Sequence, residues 1–306
     1  MLIRAENWRD YAAVAAVHVR AFEERAAEAT IVALHRQRTA YDPELSLVAE
    51  EDGRIVGHVL FSPHRVNILG EVVQAVNLAP IAIDPAYQKQ GVGKRLIETG
   101  HNIAREKGYA FSFLLGHPSY YPRLGYLTNA YGSAKLTLQV AGLPEPALVT
   151  RPVAEADIPA LYAIWKETES EVDFSLDPGQ DLIEWLSPNP AVAAVTYLRD
   201  NQVVGYTRIH SAHPVQPAYF LAKDAVVARE MAALLARQAS ITTIIELPLH
   251  PGSAIATGLG EAEARAWEPA MVYPLTSSPF DTYYSLVKSN HRPPGRPIWP
   301  IEFDLE

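Results

Sequence analysis

Cysteine is absent from the 306 residues, which excludes a disulfide framework, a thiol nucleophile and a thiolate metal site together. Positive charge is scarce as well: 26 Lys and Arg face 35 Asp and Glu, giving a net charge of -9. Nucleic acid and anionic membranes need a basic face to release counterions or meet lipid phosphates, so neither is expected as a partner. No run of 18 apolar residues occurs, and Met1–Asn7 has neither the basic start nor the apolar stretch of an export signal, so a cytoplasmic protein is expected. The ten histidines lack the i, i+4 spacing of a zinc helix; the closest pair, His210 and His213, lies in a turn-like stretch without a carboxylate, and no metal is expected.

What is present is the balance of a folded protein, 48% apolar and 20% charged, with length enough for two cores. A strand at Leu2–Arg4 leads into a helix over Tyr11–Phe22, with Asp10 placed to cap it. Leu45–Glu50 and Ile55–Ser62 read as strands joined by the hairpin signal Asp52-Gly53. A third strand over the apolar stretches Val72–Val76 and Ala79–Ile83 follows, then Asp84-Pro85, a helix over Gly93–Lys107, a strand over Tyr109–Leu115 and a helical turn at Tyr120–Leu124. The order is that of a mixed α/β sheet.

The second half repeats parts of the first. Arg4, Asp10 and Ala13 match Arg151, Asp157 and Ala160 at a spacing of 147, and Val56-Gly57 matches Val204-Gly205 at 148. His117-Pro118 and Gly125 match His250-Pro251 and Gly258 at 133, so about 15 residues are missing between Gly205 and His250. Residues 1–145 and 146–275 are therefore read as two domains. The proline-rich remainder, 276–306, ends in the alternating Ile301-Glu302-Phe303-Asp304-Leu305 and suits an extended tail able to add a strand to a sheet edge.

One segment carries chemistry. After the strand ending at Ile81-Ala82-Ile83 and Asp84-Pro85 comes Gln88-Lys89-Gln90-Gly91-Val92-Gly93-Lys94, a turn with two glycines opening a helix whose first turn holds the cations Lys94 and Arg95. Free amides and the positive dipole end of a helix N-terminus hold a pyrophosphate, glycines permit close approach, and cations there are unfavourable without an anion. The plain alternative is a tight turn. The third glycine of a dinucleotide fingerprint and the Gly-Lys-Ser/Thr of a P-loop are both absent.

The pattern Gln88-x-x-Gly91-x-Gly93 after an apolar strand closely resembles the acetyl-CoA pyrophosphate loop of the GNAT acyltransferases. About 30 residues on, Gly116-His117-Pro118-Ser119-Tyr120-Tyr121-Pro122-Arg123-Leu124-Gly125-Tyr126 resembles their strand, turn and short helix, in which a tyrosine four residues before a Gly-aromatic pair faces the cofactor sulfur. The resemblance spans about residues 1–140 and implies a GNAT-like fold and an N-acetyltransferase moving an acetyl or other short acyl group from coenzyme A to an amine. It implies cofactor contacts at Ile81, Ala82, Ile83 and Gln88–Lys94, and Tyr121 as donor to the departing thiolate, with Tyr120 as the substitute if the register is off by one. His117 is the nearest candidate base; Glu71 and Asp84 stay open.

The second half lacks glycine between Tyr206 and Pro251, and Ala254 stands where Tyr121 would. It reads as a degenerate repeat that packs on the first domain and walls its cleft, with an Ala/Leu-rich helix near Asp224–Ser240. A non-catalytic acyl-CoA-binding regulator or a scaffold is the alternative, and a homo-oligomer is compatible with either.

Overall fold

The computed structural model describes residues 1–299. Strand β1 (Leu2–Ala5) is followed by helices α1 (Tyr11–Ala21) and α2 (Ala27–His35), then by strands β2 (Ser46–Glu51), β3 (Arg54–Ile68) and β4 (Glu71–Ile83), helix α3 (Val92–Glu106), β5 (Phe111–Leu115) and β6 (Gly132–Gln139). The second unit repeats the order with β7 (Val149–Pro152), α4 (Ile158–Thr168), β8 (Val192–Arg199), β9 (Gln202–His210), β10 (Tyr219–Ala222), α5 (Ala225–Gln238) and β11 (Ile244–Leu247). It closes with β12 (Ala262–Ala266), β13 (Ala270–Pro274) and α6 (Pro279–Lys288). Strands assemble as β1-β2-β3-β4-β5-β13, as β10-β9-β8-β7 and as β11-β6-β12, and among the described strands only β4 and β5 pair in parallel. Helices lie on both faces of the first sheet: Leu47 and Ala49 pack with α3, while Val48 between them packs with Val14 of α1 and Val32 of α2.

The repeat is visible in three dimensions. Arg4 donates to both carboxylate oxygens of Asp10 at 2.7 and 3.0 Å, and Arg151 does the same to Asp157 at 2.6 and 2.6 Å. Asp10 does not cap α1, as the sequence suggested; its carboxylate holds Arg4 and accepts the Asn7 amide, while Asn7 caps the turn that precedes the helix. Both hairpins turn on two left-handed residues, Asp52-Gly53 and Asp200-Asn201, which match the strand twist. Both carry a register shift at the same place, opposite Gly57 and opposite Gly205.

Each unit donates a strand to the other. β6, which follows β5 in the chain, pairs with β11 and packs Leu136 and Leu138 against α5, whereas β13 crosses back to pair with β5. Val72–Val76 and Ala79–Ile83, read as the third strand after the hairpin, lie together in β4. The segment 276–306 is not extended throughout: residues 279–288 are α6, opened by a Ser278 capping box, with Phe280, Tyr283 and Val287 buried against Phe111, Phe174 and Val272. The strand expected at Ile301–Leu305 lies outside the described residues.

Under α1 a chain of buried polar groups runs from His18 Nε2 to His58 Nδ1 at 2.9 Å and from His58 Nε2 to Ser46 Oγ at 2.9 Å. Burial holds His18 down to about 2 and His58 down to about 3, so both are neutral at pH 7 despite Glu6 standing 3.8 Å from His58.

Two outcomes are expected. Because β13 and the partners of β6 lie beyond residue 145, a fragment of residues 1–145 exposes the β5 edge and the apolar face of β6 and should aggregate; a monodisperse, folded fragment in light scattering would contradict this. The unfolded chain protonates its histidines near 6.5 while the folded chain keeps these two neutral, so stability is full above that pH and falls as pH drops through it. Between pH 7 and 5 this amounts to about 2 kcal/mol for each, read as a falling melting temperature that His58→Gln flattens. A melting temperature constant down to pH 5 would refute it.

Candidate active site

The parallel pairing of β4 with β5 is short. It joins Ala75, Val76 and Asn77 to Phe111, Ser112 and Phe113, and ends there. Beyond Asn77, β4 stays with β3 as far as Ile83 opposite Gly57, while β5 continues beside β13. Among the described residues the edge of β4 from Leu78 to Ile83 therefore faces no strand, and a fork opens at Asn77. Cavities occupy both sides of it. One, of about 760 Å3, is walled by Ile81–Ile83, Tyr87–Lys89 and Gly91–Lys94, and across from them by Phe22, His117, Tyr120, Arg123 and Leu124. The other, of about 410 Å3, has Asn77, Ala79 and Leu115 on one wall and Tyr131, Arg208, Trp267, Arg296 and Trp299 around it.

The turn that closes the larger cavity is pinned from within. Asp84 accepts the Ala86 amide at 3.1 Å and pairs with Arg20 of α1 at 2.8 Å, so it orders the loop. Gln88 Nε2 donates to the Ile83 carbonyl at 3.1 Å and Gln90 Nε2 to the Ala86 carbonyl at 2.9 Å. Gly91 starts α3 in the left-handed region, φ +82°, where a side chain is strained, and no side chain caps the helix. The first turn holds no acidic residue. Its amides thus open on the cavity with the positive dipole end behind them, the arrangement that holds a phosphate.

Of the ten predicted cofactor contacts, all but Gln90 line this cavity. Of the tyrosines, Tyr120 forms part of the wall, 39% exposed, with its hydroxyl over Gly93; a Cβ on that glycine would stand 3.3 Å from it. Tyr121 is not among the residues that line the cavity; it packs in the core, 8% exposed, its ring against Gly116 and 5.5 Å from that of Tyr126. Burial raises its phenol to about 12, keeping it protonated. His117 lines the cavity and its carbonyl accepts the amides of Tyr120 and Tyr121 at 3.0 and 3.4 Å, while Glu71 stands at the far end of β4. No group of three or more His, Cys, Asp or Glu that could hold a metal occurs among the described residues. Arg20 and Phe22 were not read as site residues because they come from the end of α1, brought near by the fold, and Asn77, on β4 itself, fell between the two apolar stretches that were read.

The second unit has no equivalent cradle. From Gly57 to Ile83 is 26 positions, but from Gly205 to its counterpart Ala222 is 17; from Ile83 to the start of α3 is 9, but from Ala222 to the start of α5 is 3. The shortened hairpin and turn account for the missing residues. At α5 the Val227 amide is already engaged: Asp224 caps the helix, accepting from it at 2.8 Å, and places a carboxylate where an anion would have to sit.

A parallel pair splayed beside an uncapped, glycine-started helix makes a cleft whose free amides suit a phosphate group. The sequence model of the acetyltransferase (GNAT) domain matches residues 3–128. The chain is 40% identical over 132 residues to the uncharacterised N-acetyltransferase YhbS of Escherichia coli, covering 43% of this chain and 76% of that one. It is 44% identical over 101 residues to YjhQ of the same organism, likewise an uncharacterised N-acetyltransferase, covering 32% of this chain and about half, 55%, of that protein's length. The crystal structure of a GCN5-related N-acetyltransferase from Kribbella flavida matches 89% of this chain and 70% of that chain with a TM-score of 0.69; at 19% identity the likeness is one of fold, and it extends across both units. The chain belongs to the GNAT acetyltransferase family.

Proposed function

We propose that the chain transfers an acetyl or other short acyl group from a coenzyme A thioester to an amine, using the N-terminal unit alone to bind the donor. The observation that carries this reading is the uncapped start of α3 opening on a cavity whose other wall is the unpaired edge of β4. The pyrophosphate would sit on the amides from Gln88 to Lys94, the pantetheine arm would run along Ile81–Ile83, and Tyr120 over Gly93 would line its path. Amide donors fixed along that edge polarise the thioester carbonyl, generally worth about 3 to 4 kcal/mol per donor.

Attack by the neutral amine forms the C–N bond, the C–S bond breaks, and the proton lost by the amine ends on the coenzyme A sulfur. Tyr121 is the group assigned to donate a hydrogen bond to that sulfur. With its phenol near 12 and a thiol near 8.5, full proton transfer is uphill by about 5 kcal/mol, so the proton comes ultimately from the substrate nitrogen. His117, exposed on the same wall, is placed to pass a proton to solvent.

Replacing Gly91 by Val should weaken coenzyme A binding at least tenfold in calorimetry while the melting temperature confirms a folded chain; unchanged affinity would contradict the cradle. Tyr121→Phe should lower kcat with the KM for acetyl-CoA nearly constant. If Tyr120→Phe lowers kcat and Tyr121→Phe does not, the donor is Tyr120. Binding of acetyl-CoA without thiol release over an amine panel would point to a sensor instead.

A further inference from the structure

Asn77 is the last residue of β4 paired with β5, and so stands in the crotch of the fork. It is 1% exposed and lines the smaller cavity, yet neither its Nδ2 nor its Oδ1 has a hydrogen-bond partner. A buried amide with both ends unsatisfied is rare in a well-packed core and marks a place where a ligand or water completes the bonding. The neighbouring Ser62, opposite it on β3, is already engaged by His35 at 2.6 Å, so nothing on the sheet supplies the missing partner.

The cavity has the chemistry of a small organic molecule. Its volume of about 410 Å3 is that of a compact ligand pocket, and Tyr131, Trp267 and Trp299 give it flat apolar walls. Among the described residues that line it, Arg208 and Arg296 are the charged groups, and none is Asp or Glu. Arg296 is 5% exposed and pairs with Glu169 at 2.5 Å; Arg208, 2% exposed, donates to the Trp299 carbonyl at 2.9 Å. Among the described residues the walls therefore offer no carboxylate to hold the additional ammonium groups of a polycation. β6, residues near Trp267 and the segment around Arg296 all contribute, so the acceptor wall is built by the strand exchange rather than by the N-terminal unit alone.

We propose that this cavity receives a primary amine carried on a flat apolar body, an arylalkylamine rather than a polyamine or a protein lysine, and that Asn77 positions it. The proposal rests on the acyl-transfer reading above. Asn77 Oδ1 accepts an N–H of the incoming amine and turns the nitrogen lone pair through the fork toward the thioester carbon on the other side. The aromatic walls hold the body of the substrate, and Trp267, 52% exposed, stands at the mouth.

The test measures acetyl transfer to tryptamine, phenethylamine, spermidine and a lysine-containing peptide, with acetyl-CoA binding followed separately by calorimetry. The two aryl amines should exceed spermidine and the peptide in kcat/KM by at least tenfold. Asn77→Leu, nearly isosteric and apolar, should cut kcat/KM for the aryl amines at least tenfold while acetyl-CoA affinity changes less than twofold. If Asn77 were only a core residue, the same variant would melt higher and keep its kinetics. Trp267→Ala, a surface change that leaves the core intact, should erode the preference between aryl amines and spermidine.

Preference for spermidine or the peptide, no transfer to either aryl amine by a chain that binds acetyl-CoA, or unaltered amine kinetics in both variants would overturn the proposal. Failure to bind acetyl-CoA at all would instead remove the donor reading, and this one with it.

Discussion

Everything at the site depends on a parallel strand pair that stops after three residues. Parallel strands ordinarily continue their ladder, and an interrupted one leaves backbone groups on both edges to be satisfied. Here β5 satisfies its edge by taking β13 as an antiparallel partner, while β4 keeps β3 and leaves its other edge open from Leu78 to Ile83. The open edge is what a pantetheine amide can use. The same divergence leaves room for two cavities, one along Ile81–Ile83 and the other at Asn77, Ala79 and Leu115.

The exchange of β6 and β13 explains how a repeat can persist after losing its own ligand chemistry. The second unit has a shortened hairpin, a strand-to-helix turn of a few residues, and an aspartate where the first has Gly91. Yet its strand β13 completes the first unit's sheet, α6 buries Phe280 and Tyr283 against that sheet, and the segment around Arg296 walls the smaller cavity. Loss of the cradle and retention of the packing are separable because they draw on different residues: the cradle on a six-residue turn, the packing on strands and on an amphipathic helix.

What was legible in the sequence was local. Asp52-Gly53 gave the hairpin, Gln88–Gly93 the turn into α3, and Arg4 with Asp10 the motif found again at Arg151 and Asp157, because each is decided by residues within one turn or one strand end. Long-range pairing was not legible. Nothing in Gly132–Gln139 says that it pairs with β11 rather than with β5, and the helix over 279–288 was masked by the prolines around it, although Ser278 and Asp281 do form a capping box. The helix over 27–35, short and without a side-chain cap, left no start signal to read. Asn77 falls between the two apolar stretches read in the sequence, and only the fork gives it meaning.

The account stands on a single donor site, at the start of α3 and nowhere else in the chain. Titration calorimetry of coenzyme A into the intact protein tests this most directly. One coenzyme A per chain is the predicted stoichiometry, abolished together with its heat by a β-branched residue at Gly91. A stoichiometry near two, or binding that survives that substitution, would place a donor site in the second unit and contradict the reading of Asp224 as the group that closes it.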